Sequence, residues 1–435
     1  MQFLLSAGEA SGDTYGAQLI DALRQLGSGS SFFGMGGEKM RLSGAELLVH
    51  ANEVAVVGLV EVVKHLPDIR RRFKHLVAEA ARRKPDAAIL IDFPDFNLRL
   101  ARELHRLGIP VFYFVSPQIW AWRTGRVQQI QKYVRKMIVI FPFEQEFYAR
   151  HGVEVSYVGH PLAYVPSPQI SREEFAAKHG LDPKKQWIAL LPGSRRKEVR
   201  LNLPAMVEAT ELLRQQAGDF EFILPVASTL NQDWLHGQLE QTQGLKPGVD
   251  NDLNAALKGR SSTETTSQPA VARWSRPLGL REELNNTPAL AAEVKTEVPP
   301  IHFTDNAPAT LIHSRAAVVA SGTATVEAAL SGTPFVVVYR LAPLTWLLGR
   351  RLVKLDTFAM PNLIAGKKIV PELIQKDFTA QSVFNALNAI IADGPARRQM
   401  EADLKMVQQR LRDSQHTDSP AQRAAHKILG ELAKV

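Results

Sequence analysis

Short apolar runs alternate with longer stretches of helical period along most of the chain. Residues 3–7, 31–33, 86–91, 111–115, 137–141 and 155–158 are runs of strand length, mostly closed by glycine, proline or a small polar residue. Between them, apolar residues such as Ala17, Leu19, Ile20, Leu23 and Leu26 recur at helical spacing, and 97–107 and 143–151 read the same way. This alternation predicts a doubly wound α/β domain over residues 1–165, closed by a proline-containing stretch with a helix at 172–180. A second series runs through 187–191, 220–225, 316–319 and 335–339, which predicts a second such domain over 185–375. Residues 376–435 read as helices that pack back on the first domain. The stretch 244–300 breaks the pattern with Ser261-Ser262-Thr263-Glu264-Thr265-Thr266-Ser267-Gln268 and scattered prolines. It is expected to be a disordered or loosely ordered surface insertion without catalytic residues.

Composition narrows the class. The chain has 435 residues, 45% apolar and 22% charged, and no cysteine, which excludes disulfides and thiolate metal sites. The first residues lack the basic start of a signal peptide, no apolar run approaches a membrane span, and cytoplasmic residence is the default expectation. A formal net charge of +8 calls for an anionic partner. No nucleic-acid-binding motif accompanies it, whereas cations stand beside aliphatic stretches. The apolar 54–63 is followed by Lys64, His65, Arg70, Arg71, Arg72, Lys74 and His75, and 339–354 mixes aliphatics, Trp346 and cations without an acid. The first suits a membrane surface with a chain-like ligand, or equally a buried helix followed by a solvated one, and the second suits a membrane-interface helix.

Candidate chemistry sits in the turns. Ala320-Ser321-Gly322-Thr323-Ala324-Thr325-Val326-Glu327 joins a strand to a helix through small residues, which leaves amide N–H groups free for a phosphate. Glu327, a turn into that helix, would point past the phosphates to two ribose hydroxyls; an ordinary capped helix would use it to complement the dipole. Pro192-Gly193-Ser194-Arg195-Arg196-Lys197-Glu198 is a second anion seat, by geometry and by charge. In the first domain, Asp92 leaves the carboxyl end of a strand, the edge where open parallel sheets bind ligands, while Asp95 suits a helix cap. Gly8-Glu9-Ala10-Ser11-Gly12-Asp13 is no dinucleotide fingerprint, since an acid follows each glycine; it could admit a sugar, or Ser11 or Asp13 could cap a helix. His160 reads either as a base or, more simply, as part of a boundary turn, and the turn at Pro361-Asn362 could bring an amide into a cleft.

These stretches, together with Ile91-Asp92-Phe93-Pro94-Asp95-Phe96-Asn97, Ser116-Pro117-Gln118-Ile119-Trp120-Ala121-Trp122-Arg123, Leu352-Val353-Lys354 and Pro361-Asn362-Leu363-Ile364-Ala365-Gly366, recur in the order of one family. The chain resembles lipid-A-disaccharide synthases, glycosyltransferases with two Rossmann-like doubly wound domains facing across a cleft, the GT-B arrangement. The resemblance implies transfer of 2,3-diacylglucosamine from UDP to 2,3-diacylglucosamine 1-phosphate, with inversion, to give a β-1,6 disaccharide. It implies that Asp92 is the essential acid, either as general base or as an orienting group for the acceptor. Arg195 and amides near Ser194 and from Ser321 through Gly322 to Thr323 would stabilise UDP, Glu327 would hold the ribose, and Asn362 joins the nucleotide side. Glu9 and Ser11 would line the acceptor side. No cofactor, divalent metal or nucleic acid is expected; peripheral attachment to the cytoplasmic face of the inner membrane is, with a homodimer left open. The insertion and the extra cations Arg196 and Lys197 depart from the pattern and leave open which cation meets the phosphates. Other readings are a different GT-B enzyme, such as a UDP-N-acetylglucosamine transferase or 2-epimerase, and a non-catalytic nucleotide binder at a membrane surface.

Overall fold

The computed structural model describes residues 1–27, 29–54, 59–122, 124–216, 219–244, 300–341, 357–413 and 417–434. The expected insertion, most of the apolar 54–63 side chains and the segment after Leu341 therefore lie outside the described residues.

The first unit alternates strand and helix as the pattern predicts: β1 (Gln2–Ala7), α1 (Ala10–Leu26), β2 (Ser31–Gly36), α2 (Glu38–Leu42), β3 (Glu46–His50), α3 (Leu59–Arg83) and β4 (Ala87–Ile91). It continues with α4 (Pro94–Arg106), β5 (Val111–Phe114), α5 (Ile119–Trp122), α6 (Val127–Tyr133), β6 (Lys136–Val139), α7 (Pro142–Ala149) and β7 (Val155–Tyr157). The seven strands are parallel in the order β3-β2-β1-β4-β5-β6-β7. β1, β4 and β5 are almost wholly apolar because helices cover both faces. The chain winds outward from β1 in one direction and returns to β4 on its other side, so the winding reverses between these two strands. There Ala7 pairs with Ile91, and the next residues on each chain are Gly8-Glu9 and Asp92-Phe93.

The second unit comprises α8 (Arg172–His179), β8 (Gln186–Leu191), α9 (Arg196–Gln215), β9 (Phe220–Pro225), α10 (Gln232–Gly244), β10 (Ile301–Thr304) and α11 (Ala307–His313). β11 (Ala316–Ala320), α12 (Thr323–Ser331), β12 (Phe335–Tyr339), α13 (Met360–Ala365) and β13 (Glu372–Ile374) complete it. Its strands are also parallel, in the order β10-β9-β8-β11-β12-β13, and its winding reverses between β8 and β11. The pairing of Val319 with Leu191 puts the turns after β8 and β11 side by side. Those turns are the two anion seats read from the sequence.

Three helices follow, α14 (Ala380–Ile391), α15 (Pro395–Leu411) and α16 (Pro420–Leu432). α14 packs on α9 and α15 on α12, whereas α16 packs on α1 of the first unit. The crossing is fixed by polar contacts: His160 N donates to Leu411 O at 3.0 Å, Arg412 Nε to Ala163 O at 2.9 Å, and Tyr157 Oη to Arg410 O at 2.6 Å.

Candidate active site

Asp92 occupies a left-handed backbone conformation, φ 45°, followed by Phe93 at 49°, and Val115 at the end of the neighbouring strand stands at 62°. Adjacent non-glycine residues in that region are strained, and a β-branched one especially so. Side chains hold them there. Asp92 O accepts from Tyr113 Oη at 2.5 Å and from Asn97 Nδ2 at 2.9 Å. Fully buried Asn97 also donates to Ser6 O and Ile91 O and accepts from Ser6 Oγ at 2.6 Å, which ties the ends of β1 and β4 together. Gly8 meets this turn directly, since a Cβ there would lie 2.3 Å from the Phe93 ring.

Lost hydration pushes the Asp92 carboxyl up to about 7, and the nearby Glu9 carboxylate adds to the rise. The sequence reading missed Tyr15, on the first turns of α1. Burial holds its hydroxyl protonated well above the usual range, with smaller contributions from Glu327 and Asp92. Tyr15 thus lies in the field of one carboxylate from each unit. Burial likewise raises the Glu327 carboxyl.

The turns after β8 and β11 are the ones read from the sequence as anion seats. Arg195 is the N-cap of α9; its guanidinium lies 3.4 Å from Glu198 and 3.7 Å from Glu9 of the first unit. Glu198 also accepts from Ser194 N at 3.2 Å, so a carboxylate sits on the seat. Gly193, at φ 126°, is needed because a Cβ would come within 2.7 Å of Glu198. Buried Asn202 accepts from Arg340 N at 3.2 Å and donates to Pro192 O at 2.9 Å, which latches this turn to the end of β12. Arg196 lies over the Trp234 ring at 5.2 Å, directed away from Arg195's partners. After β11, Ser321 N is committed to Val338 O at 2.9 Å, and Thr325 Oγ1 donates to Gly322 O at 2.7 Å. Among the described residues the amides of Gly322, Thr323 and Ala324 have no acceptor. The amides left open are therefore those of 322–324, whereas the sequence reading named 321–323.

Other expectations need correction. Asn362 does not reach a cleft. It is fully buried in α13, its Oδ1 accepts from Ile369 N and Val370 N, and its Nδ2 donates to Val370 O and Glu372 Oε1. That uses the full capacity of an amide, so its side chain has none left for a nucleotide. Asp95 is no cap, since α4 starts at Pro94 with Phe93 as N-cap; it pairs with Arg126 instead. Asp13 caps α2, accepting from Gly37 N, Lys39 N and Met40 N, while partly buried Ser11 lies in the first turn of α1 beside Glu9. Burial lowers His160 to about 3; this neutral imidazole accepts from Leu162 N at 3.2 Å and serves the boundary turn. Trp120 packs edge-on against Phe143 at 5.0 Å, whereas the Trp122 side chain and Arg123 lie outside the described residues.

Comparison with known proteins agrees over nearly the whole length. The family model described as lipid-A-disaccharide synthetase matches residues 3–246 and 282–427. A lipid-A-disaccharide synthase of Koribacter versatilis is 47% identical over 430 residues, covering 99% of this chain and 98% of that protein. One of Acidobacterium capsulatum is 47% identical over 407 residues, covering 94% and 91%. In fold, the chain is similar to the glycotransferase of kitacinnamycin, with a TM-score of 0.57, 14% identity and coverage of 99% and 98%. It is also similar to a UDP-GlcNAc 2-epimerase of Neisseria meningitidis, with a TM-score of 0.56, 10% identity and full coverage of both chains.

Proposed function

The chain belongs to the lipid-A-disaccharide synthase family, and from that membership we propose that it moves 2,3-diacylglucosamine from UDP to 2,3-diacylglucosamine 1-phosphate. It is a glycosyltransferase of GT-B architecture. The observation that carries the residue-level reading is the meeting of two winding-reversal points, Asp92 and Glu9 from one sheet and Arg195 with free amides from the other, 3.7 Å apart at Glu9 and Arg195.

In the proposed reaction, the acceptor 6-hydroxyl oxygen attacks the anomeric carbon of the donor and gives its proton to the Asp92 carboxylate. The bond from that carbon to the diphosphate oxygen breaks on the opposite face, which inverts the centre. UDP leaves with its charge held by Arg195 and by the amides of Ser194 and of Gly322 to Ala324. For Ser194 this requires the Glu198 carboxylate to give way. Glu327, one turn into α12, takes the ribose hydroxyls, and Glu9 and Ser11 face the acceptor. Because cations and amides of the chain offset the leaving-group charge, turnover should persist in EDTA.

Among the described residues no helix is long and apolar enough to cross a membrane. We propose peripheral attachment to the cytoplasmic face of the inner membrane, where acylated substrates reside. The test is direct: protein, UDP-2,3-diacylglucosamine and the 1-phosphate acceptor in detergent micelles, followed by mass spectrometry. A disaccharide 1-phosphate with released UDP supports the assignment; UDP binding without that product rejects the acceptor.

A further inference from the structure

A polar cavity of about 290 Å³ lies between α4 and α6, lined by Arg99, Arg102, Arg126, Gln129 and Tyr133, with Asp95 as its acid. α4 follows β4 directly, so its first residues stand at the edge that carries Asp92. Pro94, two residues past Asp92, already belongs to the cavity wall. The groove therefore starts at the acceptor end of the site and runs outward along the helices.

Its charge is not internally satisfied. Arg126 pairs with Asp95. Arg102 gives its Nε to Glu103 at 3.1 Å, while its terminal amino groups have no acceptor among the described residues. Exposed Arg99 has no acidic partner among the described residues. Among the described residues the lining thus holds three guanidiniums and one carboxylate, with the Gln129 amide and the Tyr133 hydroxyl as further donors. Planar guanidiniums match the oxygens of a phosphate monoester, which a single acid cannot neutralise. The other basic cavity, at the amino end of β8, differs: its Arg172 donates to Pro183 O and Lys185 O, and its Arg397 to Arg315 O and Ile390 O. Those arginines fasten main chain.

We propose that the α4–α6 groove holds the phosphate of the acceptor lipid, with Arg99 as its free cation, the terminal amino groups of Arg102 beside it and Arg126 at its mouth. This rests on the glycosyltransferase reading. An acceptor with its reacting hydroxyl at Asp92 carries its phosphate on the opposite side of the sugar ring, and Pro94, two residues from Asp92, is where the groove begins.

The test uses Arg99→Ala/Arg102→Ala, two exposed positions remote from the core, with Arg99→Lys/Arg102→Lys as the charge-preserving control. Rates are measured at saturating UDP-sugar in neutral detergent, with the acceptor lipid either carrying or lacking its anomeric phosphate. The expected result is a rise in KM for the phosphorylated acceptor of roughly tenfold, partly rescued by lysine, with kcat nearly unchanged. The rate with the dephosphorylated acceptor should not respond. Equal losses with both acceptors, or none with either, overturn the proposal. So does a variant with normal micellar KM that has lost binding to vesicles containing anionic lipid, which would assign the groove to a membrane headgroup. A wild type that binds UDP but forms no disaccharide would instead sink the parent reading, and this proposal with it.

Discussion

At Asp92 the backbone and the charge make opposite demands on the same residue. Left-handed geometry aims the carboxyl from the strand end, and lost hydration plus Glu9 keep it near neutrality, the range suited to a general base. Asp92→Asn should bind UDP normally by calorimetry and lose turnover by ~10² or more; unchanged turnover would reject the base assignment. A base works ionised, so kcat/KM should rise with pH and level off above about 7. Removing the neighbouring negative charge makes ionisation easier, so Glu9→Gln should move that rise to lower pH. A rise that stays in place would show that Glu9 does not govern Asp92. The Glu9–Arg195 pair is about half exposed at both ends, so this substitution should leave thermal stability within ~1 kcal/mol. Asp92 itself was legible, because an acid after an apolar strand marks the ligand edge. Its field was not, since Tyr15 and Glu327 come together only through tertiary packing.

At the level of elements, the two donor turns depend on residues that touch no ligand in the proposed mechanism. Asn202 spans the gap between the turn after β8 and the end of β12. Asn202→Leu strands one buried and one partly buried backbone group and should cost ~1–3 kcal/mol in chemical unfolding, with weaker UDP binding. Retained UDP affinity would mean that the turn holds its shape without the latch. Sequence periodicity found most strands, but β3, β10 and β13 escaped it because each is short and only partly buried. The run read as 31–33 continues through Gly34-Met35-Gly36 as strand. Leu5 O lies 2.0 Å from where a Gly34 Cβ would stand, so only glycine permits β2 to continue there. Asn362 was misread for a related reason: an amide in a proline-led segment gives no sign of whether its partners are a ligand or the chain's own backbone.

The whole molecule is two sheets joined by two passages of chain, near His160 and near Leu411. Arg423 of α16 closes the junction, donating to Val158 O and to Tyr164 Oη at 2.9 Å, with its ring-face contact to Tyr164 at 5.1 Å. It is only 7% exposed, so Arg423→Ala removes a buried hydrogen-bonding hub and should lower stability by ~3 kcal/mol in thermal unfolding. A small shift would mean that apolar packing alone holds the junction. The two-sheet plan was legible from alternation; the return of the last helix was an expectation that periodicity alone could not specify, since it depends on which apolar face is left bare. That face belongs to α1, where Tyr15, Leu19 and Leu23 share a core with Ala421, Ala424 and Ile428 of α16. During synthesis on the ribosome, the first sheet can assemble once β7 has emerged, yet the partner of α1 is made only after the whole second sheet. While the second sheet is being made, the nascent first unit carries an uncovered apolar flank, a substrate for chaperones until α16 arrives.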